Sequence, residues 1–210
     1  MRPVPSVLCL VLVALGACSD VADHGTGQAG TVNVVLATEL GDIGLEIYQD
    51  RAPASAASFL EYVDRGWYEG AAFYRTVRPD NDNGSPKISV IQGGLSGNMP
   101  ESVPVAHETT RDTGIRHTDG VISLARAEPG TASGATFFIC IGDQPALDFG
   151  GTRFADGLGF AAFGKVVEGM DVVRAIHARE AEGASESAYT KGQMLTHPVK
   201  ILSARRASRR

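Results

Sequence analysis

The sequence predicts a mainly β protein, a closed eight-stranded antiparallel β-barrel capped by two α-helices. Three observations carry that expectation. A run with period-two alternation opens the folded region, and further short apolar runs follow it. Only two stretches space their apolar residues at three and four, as a helix does. So many short strands would present exposed edges unless the sheet closed on itself.

The elements follow in order. Val32, Val34 and Leu36 alternate with smaller or polar residues, and Ile43, Leu45 and Ile47 alternate with Gly44, Glu46 and Tyr48. A Gly41-Asp42 turn between them makes a hairpin. Pro53 then opens a helix, where its missing N–H costs nothing. Ala56, Phe59, Leu60 and Val63 fall at i, i+3, i+4 and i+7 on one face, and Gly66 ends it. Short strands are expected at Ala72–Val77, Ser89–Gly93, Val121–Leu124, Phe137–Ile141 and Phe160–Val167. A second helix, about Asp171 to Ala178, would bury Val172, Val173 and Ile176, and Val199–Leu202 is the last strand. The segments Arg78–Ile88 and Phe149–Leu158 are long, polar or glycine-rich loops, and long loops on a rigid barrel usually carry function.

The folded domain is expected over residues 31–204. Ahead of it, residues 1–17 read as a lipoprotein signal peptide. Arg2 gives a positive start, Val4 to Ala14 is almost wholly apolar, and Leu15-Gly16-Ala17-Cys18 follows. A short apolar run ending in small residues is a cleavable export signal rather than a fold element. Its last four residues resemble a bacterial lipobox, which implies a diacylglyceryl group on Cys18 and cleavage before it. An ordinary secretory signal, with Cys18 incidental, is the other reading. Residues 18–30 are small, polar and glycine-rich, a flexible tether. Within them Gly25-Thr26-Gly27-Gln28-Ala29-Gly30 matches a dinucleotide pattern but lacks the strand before and the helix after that the pattern needs. The protein is therefore expected to be exported and lipid-anchored to the cell membrane or outer membrane, facing the periplasm or exterior. Cys9 leaves with the signal and Cys18 carries lipid, so Cys140, in Phe137-Phe138-Ile139-Cys140-Ile141, is a core thiol with no disulfide partner.

The formal net charge of −5 argues against a nucleic-acid partner, because phosphate binding needs a basic face. A basic tail, residues 205–210, is a local exception: Arg205, Arg206, Arg209 and Arg210 read as a solvated end or as a contact for anionic lipid heads.

Several familiar catalytic patterns fail. Gly94-Leu95-Ser96-Gly97-Asn98 is not a nucleophile elbow, since its last position is Asn98. His107-Glu108 lacks the second His of a zinc helix, and His107 and His117 read as hydrogen-bonded loop residues. Asp80-Asn81-Asp82-Asn83-Gly84 places its glycine one position early for a calcium loop, so it reads as a turn. No metal or cofactor is called for.

Four segments stand out in order: Phe73-Tyr74-Arg75-Thr76-Val77; Val90-Ile91-Gln92-Gly93-Gly94; Ser133-Gly134-Ala135-Thr136-Phe137-Phe138-Ile139-Cys140; and Phe163-Gly164-Lys165-Val166-Val167-Glu168-Gly169-Met170. Together they resemble the cyclophilin family of peptidyl-prolyl isomerases, over roughly Thr31 to Ala204. The resemblance implies an eight-stranded barrel with two capping helices and a groove on its outer face. It implies that Arg75 is the catalytic arginine, that Gln92 holds the substrate backbone and that Phe138 floors the proline pocket. Val90 and Leu147 match apolar walls. Ala125 and Arg126 match the strand-edge pair lining the peptide, with Asn usual where Arg126 stands. Thr136 replaces a glutamine, Phe160 a histidine, Ser89 the first pocket phenylalanine and Ala146 a tryptophan. An insertion around Pro79 to Ile88 separates Arg75 from Gln92.

The reaction needs no nucleophile. Rotation about a prolyl bond meets a barrier of roughly 18–20 kcal/mol, from lost amide resonance. At the twisted state the imide nitrogen regains its lone pair, and a guanidinium bonded there is more stabilising than in either planar state. The implied activity is peptidyl-prolyl cis–trans isomerisation assisting exported chains, by a protein expected to be monomeric. The alternative is a non-catalytic module that binds prolyl segments as a chaperone or scaffold, the reading that Ser89, Thr136, Ala146 and Phe160 favour.

Overall fold

The computed structural model describes Met1 and residues 30–95 and 103–207. The signal segment, Cys18 and the tether up to residue 29 lie outside the described residues, as do residues 208–210.

β1 (Thr31–Thr38) and β2 (Gly41–Tyr48) form the first hairpin, with Val34 opposite Leu45 and Leu36 opposite Ile43. The turn falls at residues 39–40 rather than at Gly41-Asp42, because the Thr38 hydroxyl donates to the Gly41 carbonyl (2.7 Å) and accepts the Leu40 N–H (3.1 Å). Gly41 is needed all the same: its φ of 130° is closed to most side chains.

α1 (Pro53–Asp64) starts at Pro53, and its N-cap Ala52 has no capping side chain. Glu108 does that work from afar. Its carboxylate accepts the N–H groups of Ala54 (3.0 Å) and Ser55 (2.8 Å) and the Ser55 hydroxyl (2.6 Å), satisfying donors that a helix start leaves open and placing negative charge at the positive end of the helix dipole. Glu108 is thus absorbed by the fold, while His107 places Nε2 3.3 Å from the Leu158 carbonyl and leaves Nδ1 buried without a partner among the described residues.

The remaining elements are β3 (Ala72–Val77), β4 (Val90–Gly94), the single turn α2 (Thr110–Thr113), β5 (Val121–Leu124), β6 (Thr136–Cys140), β7 (Ala161–Glu168), α3 (Met170–His177) and β8 (Met194–Ala207). The eight strands close into an antiparallel barrel in the order β1-β2-β7-β5-β6-β4-β3-β8, with β8 returning to β1. β8 is far longer than Val199–Leu202. His197 and Pro198 are both exposed and interrupt its alternation, and Pro198 brings no N–H to the ladder. Arg205 and Arg206, expected in a solvated tail, are therefore strand residues paired with β1, and Arg206 makes a two-pronged surface contact with Asp64 (2.7 and 2.8 Å).

Two apolar clusters share the sheet. Inside the barrel, Phe59 from α1 meets Phe137 of β6 (ring centroids 5.6 Å) and Phe163 of β7 (5.1 Å), so α1 closes the barrel with an aromatic plug. The second cluster lies on the opposite face of β4 and β6. Ile91, Phe137 and Ile139 point inward, whereas Val90, Phe138 and Cys140 join Val77, Ile88, Leu147 and Phe160 outside. Cys140 is a buried free thiol.

Phe59 is fully buried among aromatic rings. Phe59→Ala should cost about 3–5 kcal/mol of stability, as for other buried aromatic truncations, measured as a shift of the urea midpoint at unchanged slope.

Candidate active site

The outer cluster becomes a site through strand register. Across β4 and β6, Gln92 faces Phe138 and Val90 faces Cys140. On the other side of β4, Arg75 faces Gln92. Arg75, Gln92 and Phe138 therefore form one row over three neighbouring strands. Simple alternation would not put Arg75 there. Phe73 pairs with Gly93 and Arg75 with Gln92, so Tyr74 is an extra residue, a β-bulge. With Phe73 pointing inward, an unbulged strand would send Arg75 inward too. The bulge turns both Tyr74 and Arg75 outward, and the Gln92 amide donates to the Tyr74 hydroxyl (3.1 Å).

A small cavity of about 90 Å³ opens on this row, floored by Phe138 and walled by Val90, Leu147 and Phe160. Arg75, Gln92, Ala125 and Arg126 also line it. Of the residues singled out in the sequence, Thr136 does not. It pairs with Gly94, and its carbonyl accepts the Ala125 N–H (3.0 Å). Ser89 turns away from the cavity, its hydroxyl within hydrogen-bond distance of His177 Nε2 (3.0 Å), and Ile88 supplies an apolar wall one residue earlier.

The Arg75 guanidinium is held by amide oxygens. Nη1 donates to Gln92 Oε1 (2.8 Å), while Nε (3.0 Å) and Nη2 (2.6 Å) both donate to Gln193 Oε1. The Tyr189 ring lies 5.3 Å from Cζ. Burial lowers the Arg75 pKa from its usual value, with Tyr189 pulling the other way. Gln193, Tyr189, Arg153 and Phe154 were not singled out from the sequence. All lie in segments without regular pattern, and Gln193 and Tyr189 stand more than a hundred residues from Arg75.

The floor is backed by a buried polar set. His117 stacks on Phe138 (5.9 Å, 14°), its Nδ1 lies 2.8 Å from Asp148 and its Nε2 lies 3.1 Å from the Ser123 hydroxyl. The contacts run Ser, His, Asp, as in an acyl-transfer site, but Ser123 is fully buried and cannot reach a substrate. Burial lowers the His117 pKa against the pull of Asp148, which favours the neutral ring behind Phe138.

Three loops close the rim. Arg153, from the loop after β6, forms a two-pronged ion pair with Asp82 of the inserted loop (2.7 and 2.8 Å), with both side chains almost wholly buried. Arg153 also donates to the Tyr189 hydroxyl (2.8 Å). The Asp82 carboxylate further accepts the N–H groups of Gly84 and Ile88 (both 2.9 Å), so both its oxygens are already engaged by the protein. Arg126 grips Asp156 (2.8 and 3.0 Å) and donates to the Gly159 carbonyl, stacked over Phe154 and Phe160.

A closed antiparallel barrel with a guanidinium beside an apolar pocket on its outer face is the arrangement that the resemblance to prolyl isomerases implies. A family model described as cyclophilin type peptidyl-prolyl cis-trans isomerase/CLD matches residues 33–206. The chain is 35% identical over 155 residues to the peptidyl-prolyl cis-trans isomerase A of Dickeya dadantii, over 72% of this chain and 74% of that one. It is 33% identical over 174 residues to a peptidyl-prolyl cis-trans isomerase of Acinetobacter baylyi, over 81% and 82% of the two chains. Its fold matches a Cryptosporidium parvum cyclophilin type peptidyl-prolyl cis-trans isomerase, with a TM-score of 0.62 at 17% identity, over 86% of this chain and 99% of that one. The chain belongs to the cyclophilin-type peptidyl-prolyl cis–trans isomerases and is an enzyme of that class.

Burial works against the Asp82 carboxylate, yet Arg153 and the two amides hold its pKa below the ordinary range. With its folded pKa below the unfolded one, Asp82 contributes stability above about pH 4 that is lost as pH falls through the folded value. Arg153→Met should cost about 3–5 kcal/mol at pH 7, because it strands a buried charge. In paired denaturation curves that deficit should shrink as Asp82 protonates.

Proposed function

We propose that this isomerase acts on proline-containing segments of exported proteins, that Arg75 is its catalytic group, and that lipid on Cys18 tethers it outside the cytoplasm. The observation that carries the catalytic reading is the row Arg75–Gln92–Phe138 beside one apolar cavity. The proline ring would sit on Phe138 between Val90, Leu147 and Phe160. Two amide oxygens take three of the five guanidinium N–H groups, so donors remain for the imide nitrogen as it regains its lone pair. Gln92, tied to both Arg75 and Tyr74, would anchor the peptide backbone beside the rotating bond. Nothing covalent is exchanged, so stabilising the twisted state more than either planar state is the whole of the catalysis.

The apolar wall at Ile88 and the packed Phe160 answer two of the four substitutions that favoured a merely binding module, those at Ser89 and Phe160, since the pocket keeps an apolar lining at both places. Arg75→Ala should lower turnover on a prolyl peptide on the order of a hundredfold, as for loss of one preorganised donor. Its melting temperature should move only modestly, because a half-buried pocket residue is not core packing. Full activity in that variant would refute the catalytic assignment, and activity lost only through unfolding would make Arg75 structural.

Support for the tether is the short apolar run ending in Leu15-Gly16-Ala17-Cys18 and the glycine-rich stretch behind it. Cys18→Ala should block lipid attachment and leave the chain uncleaved or soluble. Mass spectrometry of the mature wild-type protein checks this directly, and a mature chain without lipid would overturn the anchor.

A further inference from the structure

The cavity is lined by three guanidinium groups, and they are treated differently. Arg126 is matched by Asp156 and Arg153 by Asp82, each through two hydrogen bonds to a carboxylate. Those two arginines brace loops. Arg75 is met by the neutral side chains of Gln92 and Gln193, and among the described residues no ion pair involves it. Both kinds of acceptor can orient a guanidinium, but only the carboxylate cancels its charge.

We propose that Gln193 is a positioning residue for the isomerase reaction, a buried carboxamide that fixes the Arg75 guanidinium while leaving its positive charge uncompensated. The proposal rests on reading Arg75 as the catalytic group.

Gln193 is built for this. Its residue is fully buried, and its Oε1 accepts from both Nε and Nη2 of Arg75, which fixes the plane of the guanidinium as well as its position. Its Nε2 donates to the Asn81 carbonyl (2.9 Å). A carbonyl can only accept, so that bond sets which end of the amide is oxygen and aims Oε1 at Arg75. The backbone is held too, since the Gln193 N–H donates to the Thr190 carbonyl (3.0 Å) and its carbonyl accepts the Thr76 N–H (2.9 Å). The inserted loop supplies the rest of the mount. The Asn81 side chain donates to the Gly192 carbonyl (3.0 Å), and the Asn83 side chain donates to the Lys191 carbonyl (2.8 Å). The insertion between Arg75 and Gln92 thus carries the platform on which the partner of Arg75 sits. A carboxylate in place of the Gln193 amide would still hold Arg75. It would also offset the charge that the twisted imide nitrogen calls on, and a fixed charge matters most in a partly desolvated site.

Gln193→Met and Gln193→Glu separate orientation from charge. Both lose the bond to Asn81, so a purely structural role would affect them alike. Turnover is read by exchange NMR on a prolyl peptide over a range of pH, beside thermal unfolding. Gln193→Met should lose ten- to a hundredfold in turnover, the scale of a misplaced catalytic group, by a factor that does not change with pH. Gln193→Glu should lose at least as much at pH 7, although Arg75 stays held. It should regain activity relative to Gln193→Met as pH falls and the new carboxyl is neutralised. In an Arg75→Ala background, Gln193→Met should change turnover no further. Gln193→Glu as active as wild type at pH 7, or the two variants tracking each other at every pH, would overturn the proposal. A measurement on the native protein covers variants that do not fold: the Arg75 Nε proton should exchange slowly with solvent, and fast exchange would also overturn it. If Arg75→Ala keeps full activity, the catalytic reading itself falls. If Arg75→Ala is inactive while both Gln193 variants match wild type, only the role of Gln193 falls.

Discussion

The site depends on one extra residue in one strand. The bulge at Tyr74 moves Arg75 from a path into the barrel to a path across its outer face, opposite Gln92. On either side of the bulge the alternation resumes its expected phase. Phe73 is in the core before it, Thr76 is fully buried after it, and Val77 joins the outer cluster. An in-register strand would turn a guanidinium into the barrel core, where its desolvation could not be offset. The bulge therefore solves a folding problem and creates the row Arg75–Gln92–Phe138 in the same step.

The outer cluster has a cost that the loops absorb. A sheet with apolar side chains on both faces needs cover on both. The barrel interior covers one face, and the segments 78–88 and 148–159 cover the other, joined by Arg153 and Asp82. Buried ion pairs often contribute little net stability against apolar replacements, but this one fixes where two irregular segments meet. The pair also presents Arg153 to Tyr189, whose ring lies beside both Arg153 and Arg75. Pocket shape and guanidinium placement are thus set by contacts among loops, on strands that are themselves rigid.

This division explains what could be read in the sequence. The barrel was legible because strand and helix periodicities are local, and that Arg75, Gln92, Val90, Phe138, Leu147 and Phe160 meet at one cavity was legible because their segments keep a recognisable order. The bulge was not, since Phe73-Tyr74-Arg75 carries no glycine or break in hydropathy. The long β8 was hidden by His197 and Pro198. Ser89 took the place of a pocket wall in the one-dimensional reading, whereas the structure brings Ile88 into it, because the inserted loop re-enters the strand with its phase set by Asp82 accepting the Ile88 N–H. Gln193 and Tyr189 had no signal of their own, because polar residues in an irregular segment are ordinary until their partners are known.

The floor of the pocket shows the same economy with charge. Phe138 rests on an imidazole whose pKa burial lowers, favouring the neutral form, while Asp148 holds that imidazole through Nδ1 and also accepts the His117 N–H (3.0 Å). A charged ring there would place a further cation behind the aromatic floor of the cavity. With Arg126 and Arg153 each matched by a carboxylate, Arg75 is, among the described residues, the guanidinium at the cavity without a carboxylate partner. On the proposed reading, a guanidinium acts by stabilising the twisted imide more than either planar form, and the contrast between Arg75 and its carboxylate-matched neighbours would come as much from those neighbours as from the placing of the arginine.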